Sequence, residues 1–397
     1  MAGRIPIRTR IGIVGAGPAG LMLSHLLASA GVESVAIDTR SRQQIETTQR
    51  AGILERDSVR LLVDSGVSDR VLREGHEHTG ISLRFSGIDH RIDFQELIGA
   101  STWLYPQTEV FTDLADARAR DGGDIRFGVR HTEILGIDDA RPRVRFTDAD
   151  DIAYELRCDY LVGADGSRGL SRNQVPPAHR HQYFREYPFA WFGILAQAPP
   201  SANELVYAHS DRGFALISQR TESVQRMYFQ CAAQEDVDDW SDDRIWSELQ
   251  ARVAGEDGFV LKQGPIIEKT VLPFRSFVQE PMRCGTMVLA GDAAHTVPPT
   301  GAKGLNLALA DARVLAEVLE RAIRNNDSSV LDDYTTRALE RVWKAQHFSY
   351  WMTTMLHRHP DSSDFDARRQ LGELHSVISS EAGSRYLAEA YTGWPST

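Results

Sequence analysis

Ile11 to Val14 is a short run of β-branched residues that reads as a strand, and Leu21 to Ala30 reads as a helix, with Gly31 where a helix stop belongs. Val35 to Ile37 is the next strand and ends on Asp38, completing a strand–helix–strand unit of about 30 residues. Two alternating segments between Ser82 and Phe94 predict a β-ribbon, and Thr108 to Arg120 predicts a helix. Short strand-like stretches return from Ile125 to Val162 and close with Cys158-Asp159-Tyr160-Leu161-Val162. A second β-rich block runs from Tyr183 to about Gln230 and includes Phe189 to Leu195 and Met227 to Gln230. The acidic stretch Glu235 to Asp243 reads as a solvated loop whose end, Ser241-Asp242-Asp243, caps a helix through Leu249. Met287 to Ala290 is a last strand, and a helix-rich region follows from Gly304 to Ala390.

Glycine and acidic motifs of a nucleotide-binding kind stand at the start, middle and late part of this order, so the domains are not contiguous in sequence. The expectation is an α/β fold (α+β overall) in three units. Residues 1–80, 98–182 and 270–320 form a Rossmann-like dinucleotide domain, 81–97 with 183–269 form an inserted β-sheet substrate domain, and 321–397 form a helical C-terminal region. The length, 397 residues, suits two or three folding units. At 42% hydrophobic and 25% charged residues the composition excludes a disordered, collagen-like or coiled-coil chain. The net charge of −11 disfavours a nucleic-acid or anionic-membrane surface, so an anionic ligand needs a local cluster of arginines. The three cysteines, Cys158, Cys231 and Cys284, show neither metal-ligand nor disulfide spacing and read as free thiols. No apolar run approaches the roughly 18 residues of a membrane span. A cytoplasmic protein without a metal is expected.

Gly15-X-Gly17-X-X-Gly20 lies between a strand and a helix, with Asp38 ending the next strand. The first glycine permits the tight turn, the second lets backbone approach a pyrophosphate, and the third lets helix and strand pack closely. Asp38 is placed to accept hydrogen bonds from a ribose. Asp165-Gly166-Ser167 follows a strand, and Gly291-Asp292-Ala293-Ala294-His295 leads into Pro298-Pro299-Thr300-Gly301-Ala302-Lys303-Gly304-Leu305-Asn306. An Asp-Gly pair alone is usually a turn. In this order the three motifs resemble the FAD-binding aromatic hydroxylases with a single dinucleotide fold.

The segments Arg50-Ala51-Gly52-Ile53-Leu54-Glu55, Tyr105-Pro106-Gln107-Thr108-Glu109-Val110 and Arg212 to Arg220 narrow that likeness, as do Trp343-Lys344-Ala345 and Trp351-Met352-Thr353. The chain resembles the 4-hydroxybenzoate 3-monooxygenases, single-component FAD-dependent hydroxylases, over nearly its whole length. The resemblance implies FAD held by Gly15, Gly17, Ala19, Gly20, Asp38, Thr48, Gln49, Arg50, Ala51, Gly52, Ile53, Gln107, Asp165, Arg226, Asp292, Leu305 and Asn306. Ala19 and Thr48 replace side chains that help hold FAD in the resembled enzymes. Ser218, Gln219, Arg220 and Tyr228 resemble the carboxylate-binding group, where a planar guanidinium suits a benzoate.

Tyr207 resembles the tyrosine that meets the substrate phenol, Tyr391 the second tyrosine of a proton relay, and His78 its solvent-facing end. Pro299 resembles the proline whose carbonyl contacts the phenolic end, and Leu305 and Asn306 match positions whose backbone and amide face the flavin. Trp191, Leu205, Leu216 and Ile53 are similar to apolar walls of the pocket. Without the resemblance, both tyrosines would read as core residues. The hydride donor, NADPH or NADH, is expected at Arg50, Arg168, Arg172 and Arg275, since no second glycine motif appears. Two arginines, Arg40 and Arg42, stand where the 2′-phosphate choice is made, and the choice stays open. The implied activity is conversion of 4-hydroxybenzoate to 3,4-dihydroxybenzoate with NAD(P)H and O₂ through a flavin C4a-hydroperoxide, in a homodimer. A hydroxylase of another hydroxy- or aminobenzoate, or a non-catalytic flavin-binding sensor, are the alternative readings.

Overall fold

The computed structural model describes residues 4–48 and 52–394. Its first unit is a six-stranded sheet in the order Arg283–Cys284, Met287–Leu289, Tyr160–Gly163, Ile11–Val14, Ser34–Asp38 and Asp124–Phe127. All neighbours are parallel except the first pair. Ile11–Val14 is buried throughout, as a central parallel strand covered on both faces must be. The helices Gln107–Arg120 and Gly304–Asn325 both pack against the helix Pro18–Ser29. A four-stranded sheet, Ile5–Arg8, Ala153–Arg157, Arg143–Thr147 and Arg130–Leu135, adjoins this unit.

The second unit is an eight-stranded sheet. Its order is His295–Thr296, Ile266–Glu280, His181–Ala196, Val224–Cys231, Gly213–Thr221, Val206–Ser210, Gly80–Phe85 and Ile88–Asp93. Register divides its residues cleanly between two faces. Tyr207 pairs with Leu216, and Leu216 with Tyr228, so these three point the same way. Val206, Ile217 and Met227 point the other way, into a core completed by Trp246 and Leu249 of the helix Asp242–Val253. The first face meets the helices Asp332–Leu356, Asp364–Ile378 and Glu381–Thr392 through Phe348, Met352, Leu374, Leu387 and Tyr391. A strand alternating at period 2 thus serves two different cores.

The ribbon of Ser82 to Phe94 forms as expected, with strands Gly80–Phe85 and Ile88–Asp93. Ser241 caps the helix Asp242–Val253, accepting from the Arg244 amide at 3.3 Å. The strand Ile266–Glu280 runs through the domain boundary expected at residue 270. It is hydrogen-bonded along His181–Ala196 from Ala196↔Ile266 to His181↔Glu280, so residues 270–280 belong to the eight-stranded sheet. Among the described residues, no helix is long and apolar enough to cross a membrane, and no group of metal-ligating side chains occurs.

His357, just past the helix Asp332–Leu356, fills the seam between sheet and helices. Its ring stacks on Phe189 at 4.8 Å and Phe214 at 4.3 Å between centroids. Nε2 accepts from Trp191 Nε1 at 2.7 Å, which leaves Nδ1 as donor to the Thr353 carbonyl at 2.9 Å. Burial holds this imidazole neutral, its pKa lowered to about 3. The unfolded chain binds this proton near pH 6.5 and the folded one does not. The resulting stability is therefore complete above pH 6.5 and lost as pH falls toward 3. Urea unfolding should show stability falling on the order of 1 kcal/mol per pH unit between pH 6.5 and 4 from this site. His357→Gln, which keeps an acceptor for Trp191, should flatten that slope.

Candidate active site

The glycine loop is built by exclusion. Gly15 takes φ +108, and a Cβ there would lie 2.2 Å from the Ala164 carbonyl oxygen. A Cβ on Gly20 would lie 1.9 Å from the Gly15 carbonyl oxygen. Gly17, the N-cap of the helix Pro18–Ser29, faces open space, with nothing within 4 Å of such an atom. That space lies at the positive end of a helix whose first-turn amides lack intrahelical partners, the environment a pyrophosphate requires. Asp38 is buried and accepts from Ala16 N at 3.0 Å, from Arg40 N at 2.9 Å and from the Arg40 guanidinium at 3.2 Å. A ribose would share this carboxylate with Arg40. Arg42 is engaged by Glu46 and Asp116, so a 2′-phosphate would have to displace carboxylates from both arginines.

Asp165 receives the Ser171 amide and hydroxyl on Oδ2, both at 2.9 Å, while Oδ1 is buried without a protein partner. Burial raises its pKa. Asp292 is exposed on a loop held from beneath by a residue the motifs do not include. Asp311 Oδ2 accepts from Gly291 N at 2.8 Å and from His295 Nε2 at 2.7 Å. Burial opposes the His295 proton, but Asp311 outweighs it, so the imidazole holds its proton more firmly than usual. An acid about two turns into the helix after the Gly-Asp motif is the signal that the sequence offers. Ala19 lies beside this loop, where a Cβ on Gly291 would be 3.3 Å from its own. The open space at Gly17, the orphaned Asp165 oxygen and the exposed Asp292 fit an FAD pyrophosphate and ribityl chain.

Several expected cofactor contacts are committed elsewhere. Asn306 donates Nδ2 to the Ile53 and Ala302 carbonyls, and its Oδ1 accepts from Glu55 N, all at 2.9 Å. Its side-chain amide therefore fastens the strand Ile53–Glu55 to the helix Gly304–Asn325, and what it offers a flavin is its main-chain N–H in the first turn. This corrects the expectation that the amide faces the ring. Thr48 donates its hydroxyl to the Gln44 carbonyl at 2.6 Å. Gln107 opens the helix Gln107–Arg120, and Leu305, half-buried, packs beside the core of the first unit. Gly52 must be glycine, because a Cβ would lie 2.2 Å from the Tyr105 carbonyl oxygen. Gln49, Arg50 and Ala51 lie outside the described residues. Of the nicotinamide candidates, Arg168 is exposed. Arg172 donates to the Asp292 carbonyl and stacks 4.2 Å from the Phe277 ring, with Arg275 close enough to lower its proton affinity after burial.

On the front face of the eight-stranded sheet the strands bring together Tyr207, Leu216, Ser218, Arg220, Arg226 and Tyr228. Tyr228 lies flat across its neighbour because Gly193 has no side chain, and a Cβ there would be 2.6 Å from the ring. Trp191 packs on Tyr228 at 4.7 Å. Arg220 is half-buried and donates to the neutral Thr108 hydroxyl at 3.4 Å. Burial and then the adjacent Arg226 lower its proton affinity. Arg226 lies 5.2 Å from the Tyr228 ring, and its buried Nη1 has no partner. Two guanidiniums share a partly dry wall, which favours an incoming anion. Ser218 donates to the Gln219 carbonyl at 2.9 Å.

Across this face Tyr207 and Tyr391, 184 residues apart, share a hydrogen bond of 2.8 Å between hydroxyls. Burial raises both phenol pKa values. His78 is not solvent-facing as expected: it is 1% exposed, on a strand that pairs with Thr102–Leu104. Both ring nitrogens lack protein partners, and burial lowers its pKa to about 4. The Pro299 carbonyl accepts from Ala302 N at 3.0 Å and keeps a second lone pair. Lys303, missed by sequence, is buried, donating to Glu55 Oε1 at 2.6 Å and to the Tyr391 carbonyl at 2.9 Å. The run Gly301 to Asn306 held its signal.

Residues 8–349 match the model of the FAD binding domain family. The chain is 43% identical to p-hydroxybenzoate hydroxylase of Acinetobacter baylyi over 98% of its length and 96% of the relative. The chain belongs to the p-hydroxybenzoate hydroxylase family of FAD-dependent aromatic monooxygenases. This monooxygenase is also 25% identical to a 3-(3-hydroxy-phenyl)propionate/3-hydroxycinnamic acid hydroxylase of Comamonas testosteroni, over 85% of its own length and 57% of the relative's. Its fold is that of p-nitrophenol 4-monooxygenase from Pseudomonas putida, with TM-score 0.82 at 19% identity over 99% of this chain and all of that one.

Gly17→Ala should leave the apoprotein within about 1 kcal/mol of wild type, the scale of an N-cap change, and lose FAD retention. Gly20→Ala should destabilise the apoprotein itself by about 1–3 kcal/mol through overpacking. Flavin absorbance after purification, with urea unfolding of the stripped protein, separates the two. Full flavin content in Gly17→Ala would remove the loop from the cofactor site.

Proposed function

We propose that this monooxygenase hydroxylates 4-hydroxybenzoate beside its phenol, giving 3,4-dihydroxybenzoate, with NADPH or NADH as hydride donor. The observation that carries this reading is the pairing, on one sheet face, of a cationic end without a carboxylate ligand and a phenolic hydroxyl pair. Tyr207 and Leu216 are register partners, and Arg220 lies four residues beyond Leu216. At ~3.3 Å per residue that is about 13 Å of strand, room for a ring with polar groups at opposite ends once both side chains reach inward. The geometry supports a para-substituted acid over an ortho one. The A. baylyi relative named p-hydroxybenzoate hydroxylase supports the same substrate.

Arg220 binds the carboxylate through paired N–H donors, with Ser218 and Tyr228 hydroxyls beside it. Trp191, Leu216 and Tyr228 exclude water from the ring. The Tyr207 hydroxyl takes the phenolic proton while handing its own to Tyr391, so the substrate becomes the more nucleophilic phenolate without water entering. When bound, FAD supplies the activation of O₂ that the chain's own side chains cannot perform. Asp165, Asp292 and the amides after Gly17 would hold it, and Arg168, Arg172 and Arg275 would receive the nicotinamide donor.

Aerobic turnover with 4-hydroxybenzoate, 3-hydroxybenzoate and 4-aminobenzoate, followed by product analysis, tests the substrate. Coupled hydroxylation of the first above the others is expected, and coupling with another acid alone would overturn it. Arg220→Lys should retain FAD and weaken 4-hydroxybenzoate binding by about 1.5–3 kcal/mol, the scale of a charged hydrogen bond, in a fluorescence titration. Tyr207→Phe should continue to consume NAD(P)H while hydrogen peroxide replaces most of the dihydroxybenzoate. Full coupling in that variant would remove the tyrosine pair from the chemistry.

A further inference from the structure

The relay proposed above has an unresolved end. A proton reaching Tyr391 must pass to a base on its way out, and the buried His78 binds protons weakly for a histidine. Burial is the cause, and what counters it is the charge of Glu204, three residues before Tyr207. Glu204 is placed with care. Arg91 donates Nε to Oε2 at 2.7 Å and Nη2 to Oε1 at 3.1 Å. Thr79, the residue after His78, donates to Oε1 at 3.3 Å and receives Arg91 Nη2 at 2.9 Å. The carboxylate is largely covered, with a side-chain exposure of 16%. Burial opposes its charge and Arg91 more than restores it, so it stays ionised.

Four strands converge to make this arrangement. His78 lies on His76–His78, Thr79 leads into Gly80–Phe85, and Arg91 lies on the paired Ile88–Asp93. Glu204 precedes Val206–Ser210, which runs parallel to Gly80–Phe85 with Tyr207 opposite Leu83. The relay's first tyrosine and this carboxylate are thus fixed by the same strand. The other groups near His78 are His76, which opposes its charging, and Glu77, which is turned away to the Ser101 hydroxyl at 2.6 Å. Asp93 pairs with Arg91 behind Glu204.

We propose that Glu204 is a positioning residue for proton release: its fixed negative charge lets the buried His78 accept the proton that leaves Tyr391. The inference rests on the relay reading. Only O–H and N–H bonds change. The substrate's phenolic proton enters at Tyr207, a proton leaves Tyr391 for a ring nitrogen of His78, and the imidazolium returns it to solvent. The negative charge of Glu204 stabilises that imidazolium and is not itself consumed.

The test uses the FAD-loaded enzyme. Phenolate absorbance of bound 4-hydroxybenzoate after a pH jump gives the ionisation rate, and product per NAD(P)H against pH gives the coupling profile. Glu204→Gln should slow ionisation about tenfold, as for one unit of proton affinity, and move the coupling midpoint to higher pH. Binding of benzoate, which has no phenol, should stay within about twofold of wild type, because Glu204 is no part of the carboxylate-binding group. Glu204→Asp should recover most of the rate. Arg91→Gln removes the countercharge and should move the midpoint to lower pH, whereas a merely structural site would move the same way in both. In a His78→Gln background Glu204→Gln should have no further effect. An unchanged rate in Glu204→Gln, or equal losses in Gln and Asp, overturns the inference while Tyr207→Phe still uncouples. Full coupling in Tyr207→Phe overturns the relay itself.

Discussion

One buried ammonium ties the active site together. Lys303 Nζ joins Glu55, 248 residues away, to the backbone of Tyr391, 88 residues away, and Arg341 closes the other side of Glu55 at 3.1 Å. Glu55 belongs to the strand Ile53–Glu55, Lys303 caps the helix Gly304–Asn325, and Arg341 lies on the helix Asp332–Leu356. An isolated charge at this depth would be costly, so each partner is needed by the others. Burial lowers the Lys303 proton affinity, and the Glu55 carboxylate works to restore it. Because the Tyr391 carbonyl is a ligand of this ammonium, the tyrosine that meets Tyr207 is fixed by the same group that orders the loop after Pro299. Asn306 then laces the first helical turn to the same strand.

The eight-stranded sheet separates chemistry from support by parity alone. Successive residues of Gly213–Thr221 alternate between the pocket, as at Leu216 and Ser218, and the core behind it, as at Ile217. A slip of one residue would exchange Leu216 and Ser218 for Ile217 and Gln219, whereas Arg220 itself stands at the register shift between Gln219 and Thr221. What holds register is the hairpin to Val224–Cys231 together with the packing of Trp240, Trp246 and Leu249 on the back face.

The fold was legible where physical needs are local. A tight turn needs Gly15, helix contact needs Gly20, and alternation announces the strands. The pocket was legible only through likeness: Tyr207 and Tyr391 are ordinary aromatic residues until the chain folds. His78 could not be placed by sequence, since its neighbours His76 and Glu77 suggest a wet surface while the fold leaves it 1% exposed. Nor could Asn306 be read correctly, because whether an amide serves a ligand or a neighbouring strand depends on carbonyls 251–253 residues distant. Asp311 and Lys303 act beneath the motif residues, and support of this kind has no spacing of its own.

The long strands His181–Ala196 and Ile266–Glu280 run side by side across the junction of the two units. Near His181 they meet the short strand His295–Thr296, and farther along the first of them carries Trp191 and Gly193, which pack against Tyr228. The ladder between them is broken once near its middle, where Tyr187, Pro188 and Phe189 stand against Phe274 alone between Glu186↔Arg275 and Ala190↔Pro273. The substrate unit is therefore not a transferable module: cutting at the junction would sever both strands of the ladder and strip the pairs on either side of its bulge.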